Sequence, residues 1–123
     1  MEEHFITYEQ ALALKELGFD EPCFGKYDTY VANSWVLNIS PERHQFRNTN
    51  KACIAPLKQQ VFKWFRDKYN LKSCIMFRTS MEDNKEYYDW LIKEQEVVYR
   101  HFKTYEEAES ACIDKLIEIV KAK

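Results

Sequence analysis

The side chains best equipped for chemistry are His4, His44 and His101, the thiols of Cys23, Cys53, Cys74 and Cys112, and a run of cations between Arg43 and Arg78. An imidazole acts as a general base only beside a nucleophile or an acid that it can serve. The three histidines are scattered, and the chain contains neither HExxH nor GxSxG. None of the cysteines forms a CxxC pair, and each sits among apolar neighbours, as in PCFG, ACIA, SCIMF and ESACIDKL. Such thiols behave as small buried hydrophobes. A zinc site assembled from Cys23, His44 and Cys53 would have spacings that match no metal motif. The only glycines are Gly18 and Gly25, too few for either GxGxxG or GxxxxGK[ST]. The expectation is therefore a protein without catalytic residues, metal or cofactor, with four reduced thiols, most of them slow to react.

Charge carries more information. The formal net charge is only −2, yet nine Lys/Arg fall between Arg43 and Arg78 against a single acid, Asp67. The rest of the chain is correspondingly acidic. A surface with a positive and a negative side follows from such asymmetry. The candidate binding residues are Arg43, Arg47 and Lys51 in a polar loop and Lys63 and Arg66 on the exposed face of a helix. Together they can track a phosphate backbone, meet an acidic protein or ribonucleoprotein surface, or simply solvate a helix. The aromatics between them, Trp64, Phe65 and Tyr69, fall at helical spacing and read as core rather than as a base-stacking platform.

The elements that must position these residues are an α+β set. At 123 residues the chain has the size of one domain, 1–123. Thr7-Tyr8-Glu9-Gln10 and Thr104-Tyr105-Glu106-Glu107 both read as capping boxes, opening a helix to about Leu17 and another to about Val120. Gly18 suits the left-handed residue that ends the first, with Phe19 folding back on Leu14. Ala108, Cys112, Leu116 and Ile119, widened by Ile113 and Val120, form the apolar stripe of the last. Pro56 opens a middle helix ending at Tyr69, with Leu57, Val61, Trp64 and Phe65 on one face and Gln59, Lys63 and Arg66 on the other. Strands are predicted over 22–27, 35–39, 71–79, 87–93 and 97–102, with a hairpin turn at Lys93-Glu94-Gln95-Glu96. Segment 40–55 is polar and reads as a loop. The order α-ββ-α-βββ-α, with about five strands joined largely by hairpins, predicts an antiparallel sheet carrying three helices. The start MEEHF lacks the basic and apolar regions of a signal peptide, and no apolar run approaches a membrane span of about 20 residues. The expected setting is the cytoplasm, away from membranes.

Three stretches carry a resemblance: Ala11–Gly25 (ALALKELGFDEPCFG), Ile54–Leu71 (IAPLKQQVFKWFRDKYNL) and Thr104–Lys121 (TYEEAESACIDKLIEIVK). They resemble a largely uncharacterised family of small phage- and prophage-encoded bacterial proteins. The resemblance implies no functional residue. It implies an accessory protein that binds a host protein or ribonucleoprotein, including as an inhibitor of a host defence system such as a CRISPR effector. A small nucleic-acid-binding protein, RNA-binding included, and a structural or virion-associated protein are the alternatives.

Overall fold

The computed structural model describes residues 2–31, 34–40, 46, 48, 52–93 and 98–122. It is α+β, and it divides into two compact units, Met1–Gln60 and Val61–Lys123. Each holds one antiparallel three-stranded sheet. No helix of the described residues is long and apolar enough to cross a membrane.

In the first unit a single 3-10 turn at Glu2–His4 leads into helix α1, Tyr8–Glu16. Its start is the predicted capping box. The Thr7 hydroxyl accepts the Gln10 N–H at 3.2 Å, and the Gln10 side chain accepts the Thr7 N–H at 3.0 Å. Its end is the predicted Schellman motif. Leu14 O accepts the Phe19 N–H at 2.9 Å and Lys15 O accepts the Gly18 N–H at 3.1 Å. Gly18 adopts φ 92°, where a Cβ would be strained. This turn sends Leu14 and Phe19 into the core together, and Phe5, Ile6, Ala11 and Ala55 of the same unit are buried as well.

Strands β1 (Gly25–Val31), β2 (Ser34–Ile39) and β3 (Ala52–Ala55) form a sheet in the order β2-β1-β3. The third of these corrects the loop expected over 40–55. Ala52 to Ala55 pair antiparallel with Asp28 to Gly25, and Phe46 bridges to Cys23. Asn48 donates to Phe19 O at 2.9 Å and accepts the Ile54 N–H at 3.0 Å. Gly25 is needed for closeness. A Cβ there would lie 2.9 Å from Phe5 Cε1 and 3.0 Å from Ala55 O.

Helix α2, Lys58–Tyr69, starts two residues after Pro56, because Leu57 is held in an extended bridge to Phe5. Asn70, at φ 56°, ends it. In the second unit β4 (Ser73–Thr79), β5 (Glu86–Ile92) and β6 (Val98–Phe102) run in the order β4-β5-β6, and helix α3, Tyr105–Lys121, packs against them. The hairpin turn expected at 93–96 lies largely outside the described residues. Among the described residues the sheets thus hold six strands, three in each, where one sheet of about five was predicted. Helix α3 buries Ala108, Cys112, Ile113, Leu116, Ile117 and Val120, while Ile119 is only half-buried.

The Thr104 hydroxyl accepts the Glu107 N–H at 3.1 Å. Removing it with Thr104→Ala should cost about 1 kcal/mol. Thermal melts of the variant check this, and a midpoint indistinguishable from wild type would show that α3 does not depend on its cap.

Candidate binding surface and the Asp89–His101 cleft

The structure sorts the basic run by what each cation touches. Lys63 and Arg66 are both exposed on α2, while Val61, Trp64 and Phe65 of the same helix are buried. Lys63 pairs with Asp67 one turn on, Nζ to Oδ2 at 2.5 Å, and this pairing holds the exposed Asp67 carboxyl below its ordinary range. Lys68 lies over the Trp64 ring at 5.0 Å and the Tyr69 ring at 5.6 Å. Lys58 is buried, with 6% of its surface exposed, and contributes nothing to an outer face. Trp64 meets Phe65 and Tyr69 edge-to-face at 5.1 and 5.4 Å, a packed cluster and not a base platform. Arg43, Arg47 and Lys51 lie outside the described residues, so Lys63 and Arg66 are the predicted site residues that the structure places.

The cysteines divide. Cys23, Cys53 and Cys112 are buried, and Cys74 is exposed. Cys74 departs from the burial that its apolar neighbours predict, because alternation along β4 sends Cys74 and its neighbour Ile75 to opposite faces. Cys23 Sγ donates to Glu21 O at 3.2 Å. Among the described residues no three His, Cys, Asp or Glu side chains come together as metal ligands, and His44 lies outside them.

One constellation was not anticipated. Between the pairs Tyr88↔Phe102 and Trp90↔Val98 the register of β5 and β6 shifts, so that Asp89 alone faces an expanded stretch of β6. His101 falls in this bulge with φ 56°, a region that His tolerates better than most residues. Its backbone N–H, turned out of the ladder, donates to Asp89 Oδ1 at 2.8 Å. Asp89 has no exposed surface. Its Oδ2 accepts no hydrogen bond and stands 3.7 Å from His101 Nδ1. The imidazole is half-exposed and lies 5.1 Å from the Tyr87 ring. The Tyr87 hydroxyl in turn donates to Asp83 Oδ2 at 2.6 Å. That bond, with the Lys85 N–H behind it, holds the Asp83 carboxyl below its ordinary range and pushes the Tyr87 phenol up. The open side is a cleft of 390 Å³ whose lining includes Arg78, Thr79, Ser80, Tyr87 and His101. The primary work of Asp89 is structural, since it supplies the acceptor that the bulge takes from the ladder. Strict alternation in EYYDWLI put Asp89 on the face away from Tyr88 and Trp90 and gave no hint that this face is buried.

Comparison with family models, curated proteins and solved structures finds no match to this chain.

Proposed function

We propose that the chain is a phage-type accessory protein that acts by binding, using the exposed face of α2 against an acidic surface of a host protein or ribonucleoprotein in the cytoplasm. The observation that supports this reading is the orientation of Lys63 and Arg66. Both project from a helix whose opposite side is anchored by fully buried Val61 and Phe65. A rigid helix presents its charges with little ordering cost on binding. The Lys63–Asp67 pair is solvent-exposed and therefore weak, so a partner carboxylate or phosphate can share or displace it. Arg66 offers a planar fork that suits either group. Inhibition of a host defence complex, the role implied by the phage-family resemblance, is the specific form of this activity that we favour.

The test is an affinity capture from host lysate with and without nuclease, followed by the double variant Lys63→Glu, Arg66→Glu. Stability should change by no more than about 1 kcal/mol, because both side chains are exposed and only a weak i,i+4 contact turns repulsive. Affinity for the captured partner should fall at least roughly tenfold, as a surface charge is reversed against its complement. A protein partner predicts a shallow salt dependence. A nucleic-acid partner predicts a log–log slope of about −0.9 per duplex phosphate contacted, which would move the assignment to the nucleic-acid alternative. Unchanged affinity in the double variant would reduce the α2 face to a solvated surface.

A further inference from the structure

We infer that the outer edge of β2 is a self-association site, at which a second copy of this chain adds its own β2 antiparallel and joins the β2-β1-β3 sheets of the two copies into one. The inference rests on residues distinct from those of the α2 face and stands or falls separately from it.

The argument begins with backbone parity. Strands β1 and β2 pair from Gly25↔Ile39 to Thr29↔Trp35, and the ladder extends to Ser40, whose N–H donates to Phe24 O at 2.6 Å. In an antiparallel pair both polar groups of a residue point to the same side, and the side alternates. Ser40, Asn38 and Val36 therefore bond inward to β1, while Ile39, Leu37 and Trp35 direct their N–H and C=O outward. Among the described residues β2 pairs with β1 alone. Unpaired groups of this kind are a template for another strand.

Natural edges are usually blunted by charge, proline, bulges or a covering element. The sheet's other edge, β3, is only four residues long and has α1 packed against it. By contrast β2, Ser-Trp-Val-Leu-Asn-Ile, has no charged residue, no proline and no glycine, and its register from Trp35 to Ile39 is regular. Two large apolar side chains stand exposed on it, Trp35 at 42% and Val36 at 41%. The Trp35 ring is already ordered, stacked on Tyr8 with centroids 3.4 Å apart and planes 20° from parallel. Little side-chain freedom remains to be lost when it is covered.

A second copy is the occupant that this edge fits, because its outward residues Trp35, Leu37 and Ile39 are all apolar and uncharged and so complement themselves in an antiparallel pairing. Setting Leu37 opposite Leu37 of the second copy places Trp35 opposite Ile39 and Ile39 opposite Trp35. These hydrogen-bonded pairs exchange about six backbone bonds around a two-fold axis. On the other face of the seam Val36 meets Asn38. The charges that β1 sets beside Asn38 and Val36, Lys26 and Asp28, pair with one another at 3.5 Å, and Asp28 also takes a bond from Asn38. No like charges of these side chains are brought face to face across the seam.

Sedimentation equilibrium on the full chain should show a monomer–dimer exchange. Amide hydrogen exchange then identifies the edge. Trp35, Leu37 and Ile39 should become protected as concentration rises, whereas Val36, Asn38 and Ser40 should be protected throughout. Leu37→Lys, which opposes two ammonium groups across the axis, should weaken the dimer at least roughly tenfold, and mixing it with Leu37→Glu should restore association. Circular dichroism establishes that each variant is folded, and the exchange pattern of the unaltered chain decides the matter should either variant fail to fold. A chain that stays monomeric throughout, or a dimer in which Trp35, Leu37 and Ile39 exchange at a concentration-independent rate, overturns the inference.

Discussion

Mixed with excess thiol reagent at pH 8, the folded protein should lose one thiol in a fast phase and the remaining three only on unfolding. Cys74 is the fast one, since β4 exposes it to solvent. Cys112 is the extreme case at the other end. Burial against the sheet pushes its thiol up to about 12, only partly offset by a hydrogen bond from Ser73. The reactive species is the thiolate, so a rise of that size lowers its population at pH 8 roughly a thousandfold, before any loss of access is counted. Burial likewise pushes the Cys53 thiol up, against the pull of Lys15 and with the Asp28 carboxylate adding to it. A stopped-flow thiol titration, with Cys74→Ser to remove the burst and denaturant to release the rest, checks the assignment. Two or more fast thiols in the native state would show that the helix–sheet packing is looser than described. The same shift has a sign for stability. Because Cys112 holds its proton in the folded state up to about pH 12 while an unfolded thiol ionises near 9, the unfolded chain binds fewer protons in that window. Stability is therefore full below about pH 9 and falls as pH rises towards 12.

What the sequence made legible was what neighbouring residues decide among themselves. The cap of α1 needs only Thr7 and Gln10, and its end only the stretch from Leu14 to Phe19, so both could be read within windows of four and six residues. Strand β3 could not. Four residues, Ala-Cys-Ile-Ala, are too few to show a period, and they become a strand because β1, more than twenty residues away, supplies the hydrogen bonds. The charge run is a different case. Counted along the chain it is strongly basic, but burial removes Lys58, Asp67 engages Lys63 and the Trp64 ring engages Lys68. Only packing reveals which of its cations remain available. Asp89 was the least legible of all. Its burial depends on a register shift in β5 and β6, and a bulge leaves no periodic mark that one strand read by itself could show.

That dependence makes Asp89 the position where two similar substitutions should diverge. Asp89→Ala removes the acceptor of the His101 N–H from a site with no solvent to replace it. An unsatisfied buried donor costs about 1–3 kcal/mol, and the lost carboxylate leaves a void as well. A loss of about 2–3 kcal/mol should lower the melting midpoint of a chain this size by roughly 6–12 °C. Asp89→Asn keeps Oδ1 for the same N–H. It also replaces Oδ2, which accepts nothing in the folded chain, with an amide NH₂ 3.7 Å from His101 Nδ1, which a small shift of the half-exposed ring brings within bonding distance. The isosteric amide discards the cost of a buried charge, so Asn should lie within about 1 kcal/mol of wild type and can exceed it. Amide exchange at His101 provides a local readout, with protection lost in the Ala variant and kept in the Asn variant. Equal losses in both variants would mean that the fold needs the charge of Asp89 facing the imidazole. In that case the carboxylate–histidine pair, and not the cap on the bulge, would be what this part of the sheet is built around.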